Sequence, residues 1–155
     1  MRHWLERMQV GPFFVAERIA MPGFSHRGKP SAPVATLAIA YWGDVQIELI
    51  EQHNDAPSGY RDFLDAGHEG LQHMAVFSQD AEADKARCLA AGMTVQHEGL
   101  SPFDRVTRFW YLEAGAHPGS VIEIVQMTPA KSARFAEMRE AAARWRGEEP
   151  IRRFV

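Results

Sequence analysis

The sequence predicts an α+β protein made of two related modules. Two observations carry that expectation. From residue 1 the element order reads helix, strand, strand, strand, and from residue 70 it reads strand, helix, strand, strand, strand. The second block is the first with one leading strand added, an internal repeat. The closing strands also match. Val45-Gln46-Ile47-Glu48-Leu49-Ile50 resembles Ser120-Val121-Ile122-Glu123-Ile124-Val125, and each sets one glutamate in the middle of an apolar run. Gly11 after the first helix corresponds to Gly92 after the second.

The elements follow from local signals. Arg2 to Met8 reads as the end of a helix, stopped by Gly11-Pro12. Phe13 to Ile19 is a β-type run. Met21 to Pro33, rich in Gly, Pro, Ser and basic residues, reads as a long loop, either disordered or a lid. Ala35 to Trp42 and Val45 to Glu51 flank the turn Gly43-Asp44 and form a hairpin. Pro57 to Ala66 is a short helix. Gly70 to Ser78 is a strand, and Asp80 to Ala91 is a helix with Asp80 as its N-cap. Met93 to His97, Val106 to Leu112 and Ser120 to Met127 are strands. In the final helix, Ala130 to Arg146, Phe135, Met138, Ala142 and Trp145 recur at helical spacing, so that face docks on the core or on another subunit. The chain divides as 1–56 (first module, leading strand absent), 57–69 (linker helix), 70–128 (second module) and 129–155 (C-terminal helix and tail).

Composition excludes several function classes. The 155 residues carry a net charge of −3, which gives no electrostatic reason to expect nucleic acid or an anionic membrane as partner. No apolar run approaches the roughly 18 residues of a spanning helix. A single cysteine, Cys88, cannot form an internal disulfide and is read as inert packing, so a reducing, cytoplasmic setting is expected.

The two strand glutamates carry the chemistry. An ionised carboxylate in an apolar surround costs several kcal/mol unless it is paired. Two such costs at matching positions of a repeat call for a shared cause, and a bound cation supplies one. Strand alternation puts Val121, Glu123 and Val125 on one face, Gln46, Glu48 and Ile50 on another, and Leu71, His73, Ala75 and Phe77 on a third. Singly, each of these polar residues has an ordinary reading as a core or edge residue. If one curved face forms a cavity, Glu48, His73 and Glu123 converge in it. Imidazole with carboxylates suits a divalent ion (Zn, Co, Ni, Mn, Mg or Fe) without choosing among them. Trp42, Phe77, Phe109 and Tyr111 are candidate pocket walls, and His97, Arg105 and Arg108 candidate anion contacts.

With these motifs the chain resembles the vicinal oxygen chelate superfamily, the group of glyoxalase I, methylmalonyl-CoA epimerase, extradiol dioxygenases and bleomycin-resistance proteins. The resemblance rests on Gly70-Leu71-Gln72-His73-Met74-Ala75-Val76, Ile47-Glu48-Leu49-Ile50-Glu51 and Ser120 to Val125. Gly-Leu-Gln-His-Met-Ala, with Ala-Gly-Met-Thr-Val at 91 to 95, looks closest to methylmalonyl-CoA epimerase-like proteins. The resemblance implies two βαβββ modules in a cupped mixed sheet around a metal, with Glu48, His73 and Glu123 as ligands. It also implies a fourth ligand on the first module's leading strand, which would fall upstream of Met1 or come from a partner chain or water. It further implies a homodimeric, metal-dependent epimerase, isomerase or lyase that takes a proton from beside a metal-bound carbonyl of a small molecule, with Glu123 as base and Glu48 as its alternate. A metal-free binding protein of the same fold is the first rival, opposed by retention of the ligand set. An extradiol dioxygenase is the second, opposed by one histidine where that chemistry uses two. Another α+β fold is the third.

Overall fold

Apolar runs broken by glycine turns set the elements, and a computed structural model describes residues 1–115, 117 and 119–154. In chain order they are α1 (Arg2–Glu6), β1 (Phe13–Ala20), β2 (Ser25–His26), β3 (Lys29–Pro30), β4 (Val34–Trp42), β5 (Val45–Gln52) and α2 (Gly59–Asp65). They continue with β6 (His73–Ser78), α3 (Ala81–Ala90), β7 (Thr94–Leu100), β8 (Arg108–Glu113), β9 (Val121–Gln126), α4 (Pro129–Arg144) and β10 (Ile151–Arg153). The chain forms two compact units, one of Met1–Ile19, Ala35–His53 and Pro129–Val155, the other of Ala20–Val34 and Asn54–Thr128. Each has its own mixed sheet. No helix among the described residues is long and apolar enough to cross a membrane.

In the first unit the sheet order is β10-β1-β4-β5. Gly43, at φ 61°, supplies the left-handed backbone that lets β4 return as β5, in register from Trp42↔Val45 to Ala35↔Gln52. Alternation along β4 then gives the sheet two apolar faces. Ala38 and Ala40 pack with Val10, Phe13 and Val15, against Trp4, Leu5 and Met8. Ile39 and Tyr41 pack with Met138 of α4, beside Phe14, Phe135, Ala142 and Phe154. The helical spacing of Phe135, Met138 and Ala142 is thus a docking stripe. Trp145 closes it over Gly11, where an added Cβ would lie 2.9 Å from the indole ring. Sequence reading missed β10, which pairs in parallel with β1 through Phe13↔Ile151.

In the second unit the order is β3-β2-β7-β8-β9-β6. The βαβββ module runs as read from sequence, with β6 parallel to β9 and β7, β8 and β9 antiparallel in turn. Asp80 caps α3 by accepting the Ala83 N–H at 3.3 Å. α3 covers one face, burying Ala81, Trp110, Leu112 and Ile124, with Cys88, Met93 and Val95 packed against them.

One expectation is corrected here. Met21 to Pro33 is not a structureless loop, because it carries the hairpin β2–β3, and β2 joins β7 through His26↔His97. Arg27 and Gly28 both have positive φ (48° and 75°), the backbone of a two-residue hairpin turn. Strands of two residues are too short to register as alternation, and the segment's composition reads as loop. Its anchors are Phe24, which is buried, and Arg27, whose guanidinium bridges Glu113 at 2.5 Å and Asp62 at 3.3 Å. Those bonds, Glu113 foremost, raise the Arg27 pKa.

Candidate metal centre

Strand pairing in the second unit builds a row of polar side chains across one sheet face. Ala75 of β6 stands opposite Glu123 of β9, Glu123 opposite Tyr111 of β8, Tyr111 opposite His97 of β7, and His97 opposite His26 of β2. His73, two residues before Ala75, points the same way. On this face His73 Nε2 lies 3.4 Å from Glu123 Oε2, and both side chains are nearly buried, 11% and 13% exposed. The Tyr111 hydroxyl lies 3.2 Å from His73 Nε2 and 3.4 Å from the Tyr60 hydroxyl of α2. On the other side of the ring, His73 Nδ1 lies 2.7 Å from Gln72 Oε1.

These residues fit a divalent ion on chemical grounds. Two ligand atoms each about 2.1 Å from a tetrahedral ion stand about 3.4 Å apart. His73 Nε2 and Glu123 Oε2 have that separation, and imidazole with carboxylate is a set that divalent transition metals accept.

His97, a candidate anion contact by sequence, is not at the surface. It is fully buried, boxed by Phe24, Tyr60, Phe109 and Tyr111, with the Tyr111 ring 4.0 Å away. Its Nδ1 accepts the Gly59 N–H at 3.0 Å, so the hydrogen sits on Nε2, which has no partner among the described residues. A bulge explains the misreading. The register passes from Val95↔Leu112 to His97↔Tyr111, so Gln96 is the extra residue. Val95 therefore packs on the α3 side while His97 turns to the opposite face, which plain alternation forbids.

Burial, reinforced by His26 and His73, holds the His97 pKa well below its ordinary 6.5. The unfolded chain binds this proton near 6.5 and the folded chain only at lower pH, so the stability it contributes is present above 6.5 and is lost as pH falls below it. Urea midpoints should drop more steeply with acidification in the wild type than in His97→Gln. Equal slopes would contradict this account.

Gly59 carries a related constraint. A Cβ there would lie 2.1 Å from Gln96 Oε1 and 2.8 Å from His97 Nδ1, both in buried side chains. Gly59→Ala is expected to cost about 1–3 kcal/mol by overpacking and to displace α2, measured by chemical denaturation. The N-cap of α2 was also missed in sequence: Ser58 Oγ accepts the Arg61 N–H at 3.1 Å.

The remaining predicted residues have these positions. Phe109 and Tyr111 are buried on the His97 face, whereas Phe77, on exposed β6, is 42% exposed. Arg108 lies over the Trp110 ring at 5.5 Å, and Arg105 occupies a turn with φ 58°. In the first unit Glu48 sits half-buried on β5, opposite Ile39 of β4, with Ile47 and Leu49 beside it. Neighbouring Gln46 donates to the Tyr41 hydroxyl at 2.7 Å. Trp42, edge-on to Trp4, lines an open groove of about 610 Å³ with Tyr41, Asp44 and Arg139.

No curated protein sequence matches the chain. A family model described as Glyoxalase/Bleomycin resistance protein/Dioxygenase superfamily matches residues 15–111, more than half of the chain. With its βαβββ module and mixed sheets, the chain belongs to the glyoxalase/bleomycin resistance protein/dioxygenase superfamily.

Proposed function

We propose that the protein is a divalent-metal-dependent enzyme that removes a proton from the carbon beside a carbonyl, with Glu48, His73 and Glu123 as metal ligands and Glu123 as base. The observation that carries this reading is the near-buried pair His73 Nε2 and Glu123 Oε2, spaced as two ligands of one ion are. Glu48 is assigned to the set because its strand repeats that of Glu123, each with one glutamate in the middle of an apolar run. Three such side chains offer one nitrogen and two carboxylate oxygens.

When bound, a divalent ion supplies Lewis-acid stabilisation of negative charge on a substrate oxygen. The side chains divide the remaining work. Glu123 has two oxygens, so one is able to hold the ion while the other takes the proton. Tyr111, with its hydroxyl at the ligand atom of His73, is placed to donate a hydrogen bond to a substrate oxygen. Phe109 and the Tyr111 ring exclude water from that face. The substrate class is a small carbon acid with two neighbouring oxygens, an acyl thioester of the methylmalonyl-CoA kind or a glutathione adduct.

The test is proton exchange. Metal-loaded protein in deuterated water, offered 2-substituted acyl thioesters and glutathione hemithioacetals, should exchange the α-hydrogen of one of them, seen by NMR. Metal-loaded protein that exchanges none of them would reject the proton-abstraction reading.

A further inference from the structure

The two nitrogens of His73 have different partners, and the difference decides which of them is able to hold a cation. Gln72 Oε1, 2.7 Å from Nδ1, is a carbonyl oxygen and only accepts, so with the amide in this orientation the contact is a hydrogen bond when Nδ1 carries the hydrogen. A neutral imidazole with its hydrogen on Nδ1 has a lone pair on Nε2. Tyr111, whose hydroxyl lies 3.2 Å from Nε2, is a donor able to satisfy that lone pair while it waits. Nε2 is also the nitrogen turned toward Glu123 Oε2.

We infer that Gln72 is a positioning residue that locks His73 in the Nδ1–H tautomer, so that Nε2, on the Glu123 side, keeps its lone pair, with the Tyr111 hydroxyl as its hydrogen-bond donor. The inference rests on the metal-centre reading for its purpose but not for its geometry. Gln72 suits the task because it is half-buried just ahead of β6, next to the residue it orients. With the Gln72 amide in this orientation, the opposite tautomer would set a hydrogen on Nε2 and leave two lone pairs, on Nδ1 and Gln72 Oε1, facing each other at 2.7 Å.

The lock is read directly in metal-free protein labelled with nitrogen isotope at histidine, at a pH well above the ordinary histidine pKa of about 6.5. NMR should show His73 with its hydrogen on Nδ1 in the wild type. Gln72→Leu should move it toward Nε2 or a mixture, while Gln72→Glu, which keeps an acceptor, should retain the wild-type tautomer. In parallel, Zn affinity by chelator competition should fall about 10- to 100-fold in Gln72→Leu and be preserved in Gln72→Glu. A wild-type signal for Nε2–H overturns the inference, as does a tautomer indifferent to Gln72→Leu. A tautomer that responds as expected in a protein that binds no Zn supports the lock and rejects the metal-centre reading. Because the NMR signals also report folding, a variant that unfolds is replaced by Gln72→Met.

Discussion

Glu123→Gln should lower α-proton exchange by about 10²- to 10⁴-fold at saturating metal, the usual worth of a positioned general base. The substitution is nearly isosteric and removes only the charge and the basic lone pairs. Its place in the sheet should survive, because backbone pairing to Ala75 and Tyr111 holds Glu123 in β9. Metal affinity should fall as well, because an amide oxygen is a weaker ligand than a carboxylate. Measuring exchange over a metal titration separates the two losses. A rate restored to the wild-type value at high metal would make Glu123 a ligand only and shift the role of base to Glu48.

The largest stability effect is expected at Trp110. Its side chain is fully buried, packs with Leu112, Ile124 and Ala81, and has Lys85 Nζ over its ring at 4.9 Å. Trp110→Ala should cost about 3–5 kcal/mol, through lost burial and the cavity left under α3. Trp110→Phe should cost much less. It keeps most of the ring volume and removes an indole N–H that is buried without a partner among the described residues. Urea denaturation followed by circular dichroism measures both. Equal losses in the two variants would mean that packing volume is not what Trp110 contributes.

Much of the fold is legible in sequence where local chemistry and long-range packing agree. The β4–β5 hairpin announces itself by two apolar runs around Gly43-Asp44, and α3 by Asp80 before it and Gly92 after it. The features that escaped are set by non-local backbone pairing. β10 is three residues, two of them arginine, and becomes a strand only because β1 offers it an edge. β2 likewise exists through β7. At the site, strand parity alone puts His73 and Glu123 on faces that meet, because β6 and β9 are regular and register is kept from His73↔Val121 to Ser78↔Gln126. The same logic fails for His97, where the bulge at Gln96 reverses parity. His97 in its aromatic box and the paired contacts of His73 with Gln72 and Tyr111 depend on side-chain geometry that no spacing encodes.

Metal stoichiometry tests the central claim most directly. Protein stripped of metal and titrated with Zn, Co, Mn or Ni should bind one ion per chain. Affinity should drop steeply in each of Glu48→Ala, His73→Ala and Glu123→Ala while circular dichroism stays unchanged. A folded wild type that binds none of these ions, or binds them undiminished in all three variants, would reduce His73 and Glu123 to a structural ion pair and contradict the account.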